Sequence, residues 1–355
     1  MKFFIKLLVV LFIAATLFAG SANAGFNEGV AAAQKGNYAK ALKEFRPLAN
    51  QGYAAAQHNL GFMYENGYGM TQDYQKAFTW YKKAADQGYA PAQHNLAAMY
   101  RNGKGVAQNK QEAFKWSRKA ANQGDAGAQS DLGTMYYIGD GVVKNKQEAF
   151  TWFKKAAAQG YAPAQYNLGV MYRDGDGTVK NEREALKWFD KVANQGYAAA
   201  QYNLGGMYYT GNGVVQNKQE AFKWFKKAAD QGYADAQFNL SVMYDTGDGV
   251  AQNKQEAFTW VKKAAAQGDV RAQVNLGLMY GKGEGVAQNY QEALMWFKKA
   301  AEQGKAEAQV NLGFMYENGY GVVQDKQEAT AWYKKAAAQG NADAQDALKK
   351  LGANY

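Results

Sequence analysis

Cysteine is absent from the 355-residue sequence, and the chain has only two histidines and three prolines. Without cysteine the chain can form no disulfide bond, cysteine-ligated zinc site, thiol nucleophile or lipidated cysteine. His58 and His94 leave little material for a histidine-rich metal site or a histidine-dependent triad. Hydrophobic residues make up 47% and charged residues 20%, which is typical of a folded chain. The composition therefore predicts a folded protein that is poor in catalytic side chains.

Motifs for catalysis and for cofactor binding are also missing. After residue 24 the serines are Ser117, Ser130 and Ser241. None of them lies in G-x-S-x-G or is followed by lysine three residues later, and no G-x-x-x-x-G-K-[ST] phosphate loop occurs. The acidic loop around Gly177 fails the calcium-loop register, because Tyr172 and Arg183 stand where acids are needed. We therefore expect no enzymatic activity, no cofactor and no metal site.

Residues 1–24 have the features of a secretory signal peptide. Lys2 and Lys6 flank the start of an apolar run from Leu7 to Phe18, and Ala22-Asn23-Ala24 forms an A-x-A cleavage site. This run is too short to cross a bilayer as a helix, which takes about 20 residues, and no later stretch is long or apolar enough. The sequence predicts cleavage after Ala24, no membrane span in the mature chain, and a location in the periplasm or outside the cell. An uncleaved membrane anchor is the alternative.

The chain is basic, with 41 Lys and Arg residues, 31 Asp and Glu residues and a net charge of +10. Removal of Lys2 and Lys6 with the signal peptide leaves a moderately basic mature chain. Such a protein can meet anionic lipid head groups or acidic glycans outside the cytoplasm. Nucleic acid is not expected as a partner in that location.

A 36-residue period organises the rest of the chain. Eight tryptophans follow it from Trp80 to Trp332, and a methionine keeps the same interval from Met63 to Met315. Such periodicity is typical of a solenoid of stacked repeats. It predicts eight repeats over residues 51–338, each made of a first helix, a loop with G-x-G, and a second helix that begins at Asn or Asp. The paired lysines of the second helix, such as Lys226 and Lys227, are interpreted as a solvated face opposite the tryptophan.

The two ends differ from the repeat. Residues 25–50 keep the apolar spacing of a second helix but have a shorter loop, and Glu44 stands in the tryptophan position. Residues 339–355 supply one further helix with charged residues at its end. Because solenoids need polar caps at both ends, we interpret both segments as capping elements of one continuous array.

The repeated pattern A-x-A-Q-x-N-L-G-x-M-Y, then G-x-G-V, then E-A-x-x-W-x-K-K-A-A-x-Q-G resembles the Sel-one-like repeat, a relative of the tetratricopeptide repeat. The segment 25–50 is more similar to a tetratricopeptide unit. The resemblance implies an all-α, right-handed α-solenoid superhelix of antiparallel helix hairpins whose first helices line a concave face. It also implies an adaptor that assembles protein complexes. Some exported family members are described as binding or hydrolysing β-lactams, but those have a disulfide in each repeat, which this chain cannot form.

The first helix contains both constant and variable positions, which we number by the first repeat. Positions 56, 60 and 63 are almost always Ala, Leu and Met, whereas positions 58, 62 and 65 vary. Their i, i+4, i+7 spacing puts the variable positions on one face, called the first-helix stripe below. The stripe carries aromatic and arginine side chains that commonly anchor interfaces, so we predict that it binds a partner; neutral drift is the alternative. The predicted partner-binding residues are His58, Phe62, His94, Arg101, Tyr137, Tyr166, Arg173, Tyr202, Tyr209 and Phe238.

Three functions are compatible with these features. The leading hypothesis is an exported, monomeric adaptor without a cofactor, whose partner is a protein or peptide of the cell envelope or of a host. The second is a protein that binds a cell-wall or surface glycan through its tyrosines and its basic charge. The third, a β-lactam or cell-wall hydrolase, rests on the family resemblance alone.

Overall fold

The computed structural model describes residues 22–353, and every regular element in that part of the chain is an α-helix. The nineteen helices are α1 Ala22–Gln34, α2 Tyr38–Asn50, α3 Ala54–Asn66, α4 Tyr74–Asp86, α5 Ala90–Asn102, α6 Lys110–Asn122, α7 Ala126–Ile138, α8 Lys146–Ala158, α9 Ala162–Asp174, α10 Glu182–Asn194, α11 Ala198–Thr210, α12 Lys218–Asp230, α13 Ala234–Thr246, α14 Lys254–Ala266, α15 Val270–Lys282, α16 Tyr290–Glu302, α17 Ala306–Asn318, α18 Lys326–Ala337 and α19 Ala342–Lys350. None of these helices is long and apolar enough to cross a membrane.

The helices form two compact units that divide between Lys180 and Asn181. Within each unit, a helix packs against the helix before it and the helix after it. The prediction of an all-α solenoid class with helix pairs at 36-residue intervals is confirmed in both units. The predicted signal peptide lies outside the described residues except for Ala22, Asn23 and Ala24, which begin α1.

The second helices begin where the sequence predicts, because an Asn or Asp side chain caps their free amides. Before α12, Asn217 Oδ1 accepts a hydrogen bond from the backbone N–H of Glu220 at 3.0 Å. Asn109 and Asn289 make the same bond at 3.0 Å. Each cap of this kind stabilises its helix by about 1 kcal/mol.

The second glycine of the G-x-G loop lies against the second helix of the preceding repeat. Gly105 has a φ of 69°, and a Cβ atom at this position would overlap the carbonyl oxygen of Tyr74. Gly141 stands in the same relation to Lys110. Only glycine fits both the left-handed backbone and the close approach, so this loop fastens each such repeat to the one before it.

Buried glutamines connect successive helices. Gln57 is 5% exposed, and its Nε2 donates to the carbonyl oxygen of Ala49 at 3.1 Å. Its Oε1 accepts from Gln87 Nε2 at 2.7 Å. The same two bonds recur at 36-residue intervals, for instance around Gln237, where they measure 3.1 and 2.8 Å. We call this series the glutamine ladder; it satisfies polar groups that would otherwise be costly to bury.

A glycine on the first helix makes room for an aromatic ring on the second helix of the same repeat. A Cβ atom on Gly61 would lie 2.8 Å from the Tyr81 ring. Other pairs in this contact are Gly133 with Phe153, Gly205 with Phe225, Gly277 with Phe297, and Gly313 with Tyr333. Two repeats have neither member of the pair, since they carry Ala97 with Ser117 and Ser241 with Val261. The two positions therefore change together.

Candidate functional site

The first-helix stripe is only partly open to solvent. All ten predicted partner-binding residues lie on first helices, and each is half-buried. Ser130 and Val274 are 5% and 2% exposed, so these two stripe positions are covered by neighbouring side chains and are not open to a partner. Phe314, in contrast, is 50% exposed. The role of the stripe in binding stays a prediction.

Where position 65 is glutamate, its carboxylate forms a hydrogen bond with a tyrosine on the second helix of the same repeat. Glu65 accepts a hydrogen bond from the Tyr81 hydroxyl at 2.8 Å, and Glu317 accepts one from Tyr333 at 2.8 Å. These are the two repeats that carry tyrosine instead of phenylalanine on the second helix. Burial and then the Glu317 carboxylate raise the pKa of Tyr333, which keeps its hydroxyl a donor. The glutamates of the stripe thus have a structural role.

Tyr137 and Tyr209 are each held by an aspartate in the loop of the following repeat. The Tyr137 hydroxyl donates to Asp176 at 2.6 Å, and the Tyr209 hydroxyl donates to Asp248 at 2.8 Å. Lys146 Nζ donates to the other carboxylate oxygen of Asp176 at 2.6 Å and lies 5.5 Å from the Tyr137 ring centroid. The hydrogen bond from Lys146, followed by that from Tyr137, lowers the pKa of Asp176. Both tyrosine rings are therefore fixed before any partner arrives.

His58 is a neutral packing residue. Its ring centroid lies 5.5 Å from that of Tyr81 and 5.4 Å from that of Tyr89. Its Nε2 lies 3.0 Å from Asn95 Nδ2 and accepts a hydrogen bond from that amide. Burial lowers the pKa of His58 to about 4, so the ring carries no charge at neutral pH.

His94 occupies the equivalent position in the next repeat, but its surroundings are acidic. Its Nε2 lies 2.9 Å from Asp131 Oδ2, and its Nδ1 lies 3.4 Å from Asp125 Oδ1. Burial acts to lower the pKa of His94, but the hydrogen bond and the charge of Asp131 outweigh it and raise that pKa above its ordinary value. Arg101 Nη1 lies 3.9 Å from the same aspartate. Asp131 stands where every other repeat has Asn, a signal that could have revealed this cluster from the sequence.

Tyr202 and Phe238 pack against neighbouring side chains. The Tyr202 ring centroid lies 5.7 Å from that of Phe225 and 5.2 Å from that of Tyr233. The guanidinium of Arg271 lies 4.5 Å from the Phe238 ring centroid. Arg271 in turn is ion-paired to two aspartates, Asp235 and Asp269.

The remaining predicted residues also have neighbours within the chain. The Phe62 ring centroid lies 5.8 Å from that of Tyr68, and Arg173 Nε donates to Asp174 at 2.7 Å. Tyr166 is half-buried on α9. Much of the variation along the stripe is thus matched by a contacting residue of the same chain. Comparison of two repeat positions at a time, across the eight repeats, would have shown this match, whereas each position alone shows only variability.

Lysine–tryptophan contacts were missed by the sequence analysis. In every repeat the lysine three residues after the tryptophan lies over its indole, with Nζ-to-centroid distances from 3.6 Å at Lys335 to 4.6 Å at Lys191. One lysine of each pair therefore covers the tryptophan, and the interpretation that both point away from it is wrong. Such a cation–π contact contributes about 0.5–1 kcal/mol at an exposed site.

Exposed valines in the loops between first and second helices were also missed. Val143, Val179, Val215 and Val323 share one repeat position and are 84–86% exposed. They lie outside the stripe and provide a second, separate set of apolar surface residues.

Two cavities lie between successive first helices at the level of the stripe. The larger has a volume of about 190 Å³ and lies between α13 and α15. It is lined by Ser241, Val242, Asp245, Ala257, Val261, Asn275, Leu278, Met279, Lys282 and Glu284. The smaller, of about 140 Å³, lies between α7 and α9 and is lined by Thr134, Tyr137, Phe153, Asn167, Val170 and Met171. The smaller cavity is mainly apolar, whereas the larger one has five polar or charged side chains among its ten lining residues. Both are concave sites that a side chain of another molecule can enter.

Acidic and histidine side chains do not gather into a metal site in the part of the chain that the structure describes. Residues 22–353 contain no group of three or more His, Cys, Asp or Glu residues placed to hold a metal ion. The arrangement of the stripe and its cavities is suited to binding.

Comparison with known proteins identifies the repeat. The family model described as Sel1 repeat matches eight consecutive segments, from residues 54–89 to residues 306–341. A Sel1 repeat protein from Oxalobacter formigenes is 34% identical, with a TM-score of 0.67, over 97% of this chain and 99% of that chain. The protein c5321, described as a protective antigen present in uropathogenic Escherichia coli strains and displaying an SLR fold, is 36% identical, with a TM-score of 0.59, over 94% of this chain and 81% of that chain. No curated protein matches this chain in sequence.

Proposed function

This chain belongs to the Sel1 repeat family, and from that premise we propose that it is a non-enzymatic scaffold that binds a protein or peptide along the first-helix stripe. Sel1 repeats generally mediate protein–protein interactions. The observation that carries the proposal is the pair of cavities between successive first helices, which open beside apolar stripe residues.

Position 62 supplies the apolar part of the proposed surface. Val170 lines the smaller cavity, and Val242 and Leu278 line the larger one. Phe314 is half exposed at the same repeat position. A partner that covers these side chains removes apolar surface from water, which is the main driving force of most protein association.

Aromatic side chains at positions 58 and 65, which are held in place by neighbours, supply the rest of the proposed binding surface. The hydroxyls of Tyr137 and Tyr209 are already bound to aspartates, and Tyr202 is packed between two rings. A ring that is fixed before binding loses little conformational entropy when the partner docks. The internal contacts of the stripe are therefore compatible with recognition, because they leave these rings half-buried and partly exposed to solvent.

Export is part of the proposal. It is supported by the basic, apolar and A-x-A segments of residues 1–24 and by the description of the Escherichia coli relative as a protective antigen. Cleavage after Ala24 removes three residues of α1 but leaves Phe26, which is 5% exposed, in the core. Cell fractionation with N-terminal sequencing should find a chain that begins at Gly25 outside the cytoplasm. A full-length chain in the cytoplasm would contradict export.

The binding surface is tested by photo-cross-linking in the cells that produce the protein. The cross-linking amino acid p-benzoylphenylalanine, a phenylalanine derivative, replaces Phe314 on the stripe. The control places it at Val323, an exposed loop residue of the same repeat. We expect a discrete protein adduct from position 314 and none from position 323.

The other outcomes contradict the proposal in different ways. An adduct from position 323 alone would place the interface at the loops, and the absence of a protein adduct from both positions would contradict the scaffold function. Salt-sensitive retention on purified cell wall, without a protein adduct, would favour a glycan as the ligand.

A further inference from the structure

Both ring nitrogens of His94 face a carboxylate. Nε2 lies 2.9 Å from Asp131 Oδ2, and Nδ1 lies 3.4 Å from Asp125 Oδ1. A neutral imidazole has only one N–H group, whereas the imidazolium ion donates from both nitrogens. Two carboxylates in these places are therefore matched only by the protonated ring.

The charges around His94 balance only when the ring is protonated. Arg101 Nη1 lies 3.9 Å from Asp131 Oδ1, so two cations then meet two carboxylates. We call His94, Arg101, Asp125 and Asp131 the His94 cluster. His58 on α3 is the other titratable group that senses the charge of His94, and burial keeps it neutral at neutral pH. Loss of the proton from His94 thus leaves the cluster with an uncompensated negative charge.

The His94 cluster joins the first helices of two successive repeats. His94 and Arg101 lie on α5. Asp131 lies on α7, and Asp125 precedes that helix as its N-cap. Oδ1 of Asp125 accepts a hydrogen bond from the backbone N–H of Ala128 at 2.7 Å. The oxygen that caps α7 is therefore the same atom that faces Nδ1 of His94, so a change of charge on the ring acts directly on the start of α7.

The sequence of this junction departs from the other repeats in a way that suits a charged ring. Asp131 stands where every other repeat has Asn, and Asp125 stands where the repeats on either side have Tyr. A Cβ atom on Gly127 would lie 2.6 Å from Cε1 of His94, and every other repeat has a larger residue at this position. The glycine makes room for the ring, and the two aspartates give it acidic partners.

The preceding junction shows a neutral form of the same arrangement. There the His58 ring accepts a hydrogen bond from Asn95 Nδ2 at 3.0 Å, and its centroid lies 5.4 Å from that of Tyr89. Asn95 and Tyr89 stand at the repeat positions of Asp131 and Asp125. The two junctions therefore differ in whether the partners of the histidine are neutral or acidic.

His94 and Asp131 shift the pKa of each other in opposite directions. Burial acts to lower the pKa of His94, but the hydrogen bond and charge of Asp131 outweigh it and raise that pKa. Burial acts to raise the pKa of Asp131, but the hydrogen bond and charge of His94 outweigh it and lower that pKa. The ion pair therefore stabilises the fold at weakly acidic pH, and this contribution is lost as the pH rises through the pKa of folded His94.

We propose that the His94 cluster is a pH-dependent clamp between the second and third repeats, which holds α7 against α5 while His94 is protonated and loosens this junction when the ring loses its proton. The proton leaves from Nδ1, because Nε2 keeps the shorter bond to Asp131. Asp125 then faces a ring lone pair instead of an N–H group, and the start of α7 is held less firmly. The clamp needs no partner, since all its members belong to one compact unit.

Hydrogen exchange at two pH values tests the clamp. Exchange of the α7 amides is followed by mass spectrometry and corrected for the intrinsic rate at each pH. We expect the protection of α7 to fall several-fold from about pH 5 to about pH 8, the range in which histidine changes charge. Protection of α3 should change little, because His58 stays neutral over this range.

Two variants assign the effect to the cluster. Asp131→Asn gives this junction the residue of every other repeat and should remove most of the pH dependence of α7 protection. The matched control is Asp86→Asn, which neutralises an exposed aspartate of α4 outside the cluster and should leave the pH dependence unchanged.

A third variant builds the acidic partner into the preceding junction. Asn95→Asp should raise the pKa of His58 above about 4 and make the protection of α5 fall with rising pH. Because each variant changes one partly exposed side chain to one of nearly equal size, the fold should be kept. Histidine 15N signals give a direct readout, since at pH 6.5 the His94 ring should be mostly protonated at both nitrogens and the His58 ring at one.

Several results would overturn the clamp. They are equal protection of α7 at both pH values, full pH dependence in Asp131→Asn, and loss of the pH dependence in Asp86→Asn. A mostly neutral His94 ring at pH 6.5 would overturn it as well, and an unchanged pKa of His58 in Asn95→Asp would contradict the role given to the carboxylate.

Discussion

Two neighbouring glycines of α11 provide a direct test of the contact between a first-helix glycine and an aromatic ring of the second helix. A Cβ atom on Gly205 would lie 2.8 Å from Cδ1 of Phe225, whereas a Cβ atom on Gly206 would meet nothing within 4 Å. Alanine in a helix interior is favoured over glycine by about 1 kcal/mol. An extra methyl group in a packed core costs about 1–3 kcal/mol. Gly206→Ala should therefore raise the free energy of unfolding by about 1 kcal/mol. The free energy of unfolding of Gly205→Ala should be about 1–3 kcal/mol lower than that of Gly206→Ala.

Urea unfolding followed by circular dichroism and by tryptophan fluorescence measures this difference. Both variants share one helix and one chemical change, so effects on helix propensity cancel in the comparison. A Gly205→Ala variant as stable as Gly206→Ala would refute the steric argument.

A double-mutant cycle checks the same reasoning from the other side. The variant Gly205→Ser/Phe225→Val copies the natural combination of Ser241 and Val261. Because the valine removes the ring that the serine Cβ would meet, the double variant should lose less stability than the sum of its two single variants. Additive losses would show that the two positions are independent.

Other predictions concern histidines and lysines. In an NMR titration, the pKa of His58 should be about 4 and that of His94 above 6.5. On folding, His58 therefore contributes stability that is complete above pH 6.5 and is lost towards pH 4, whereas His94 contributes stability below pH 6.5 that is lost as the pH rises through its folded pKa. Two histidines titrating near 6.5 would contradict this. Lys227→Gln, which removes the cation 3.8 Å from the Trp224 ring centroid, should lower the free energy of unfolding by about 0.5–1 kcal/mol, and unchanged stability would show that the contact contributes nothing.

Local features of the fold were predictable because their causes lie within a few residues. Asn217 caps α12 through an amide three residues away, and Gly105 adopts the positive φ that its loop requires. The 36-residue period then repeats each local feature along the chain. Helix type, helix order and the capped starts of the second helices therefore followed from the sequence.

The environment of the stripe could not be derived in the same way. Helical spacing gives the direction of a side chain from its own axis, but burial also depends on how closely the next repeat approaches. Ser130 and Val274 point along the predicted face and are nevertheless covered. The bond from Tyr81 to Glu65 spans 16 residues, and that from Tyr137 to Asp176 spans 39. In a single sequence, contacts over such separations are visible only where two repeat positions change together from one repeat to another.

The glutamine ladder has a consequence for how such a chain can change its length. Gln57 bonds the end of the preceding second helix and Gln87, which directly follows the second helix of its own repeat, and Gln93 makes the same two bonds one repeat later. Each glutamine of the ladder thus bonds only to groups in the adjacent helices. Duplication or deletion of 36 residues in register therefore forms the same two glutamine hydrogen bonds at the new junction. Unequal recombination within the gene can thus lengthen or shorten the series of repeats without leaving a buried glutamine amide unpaired.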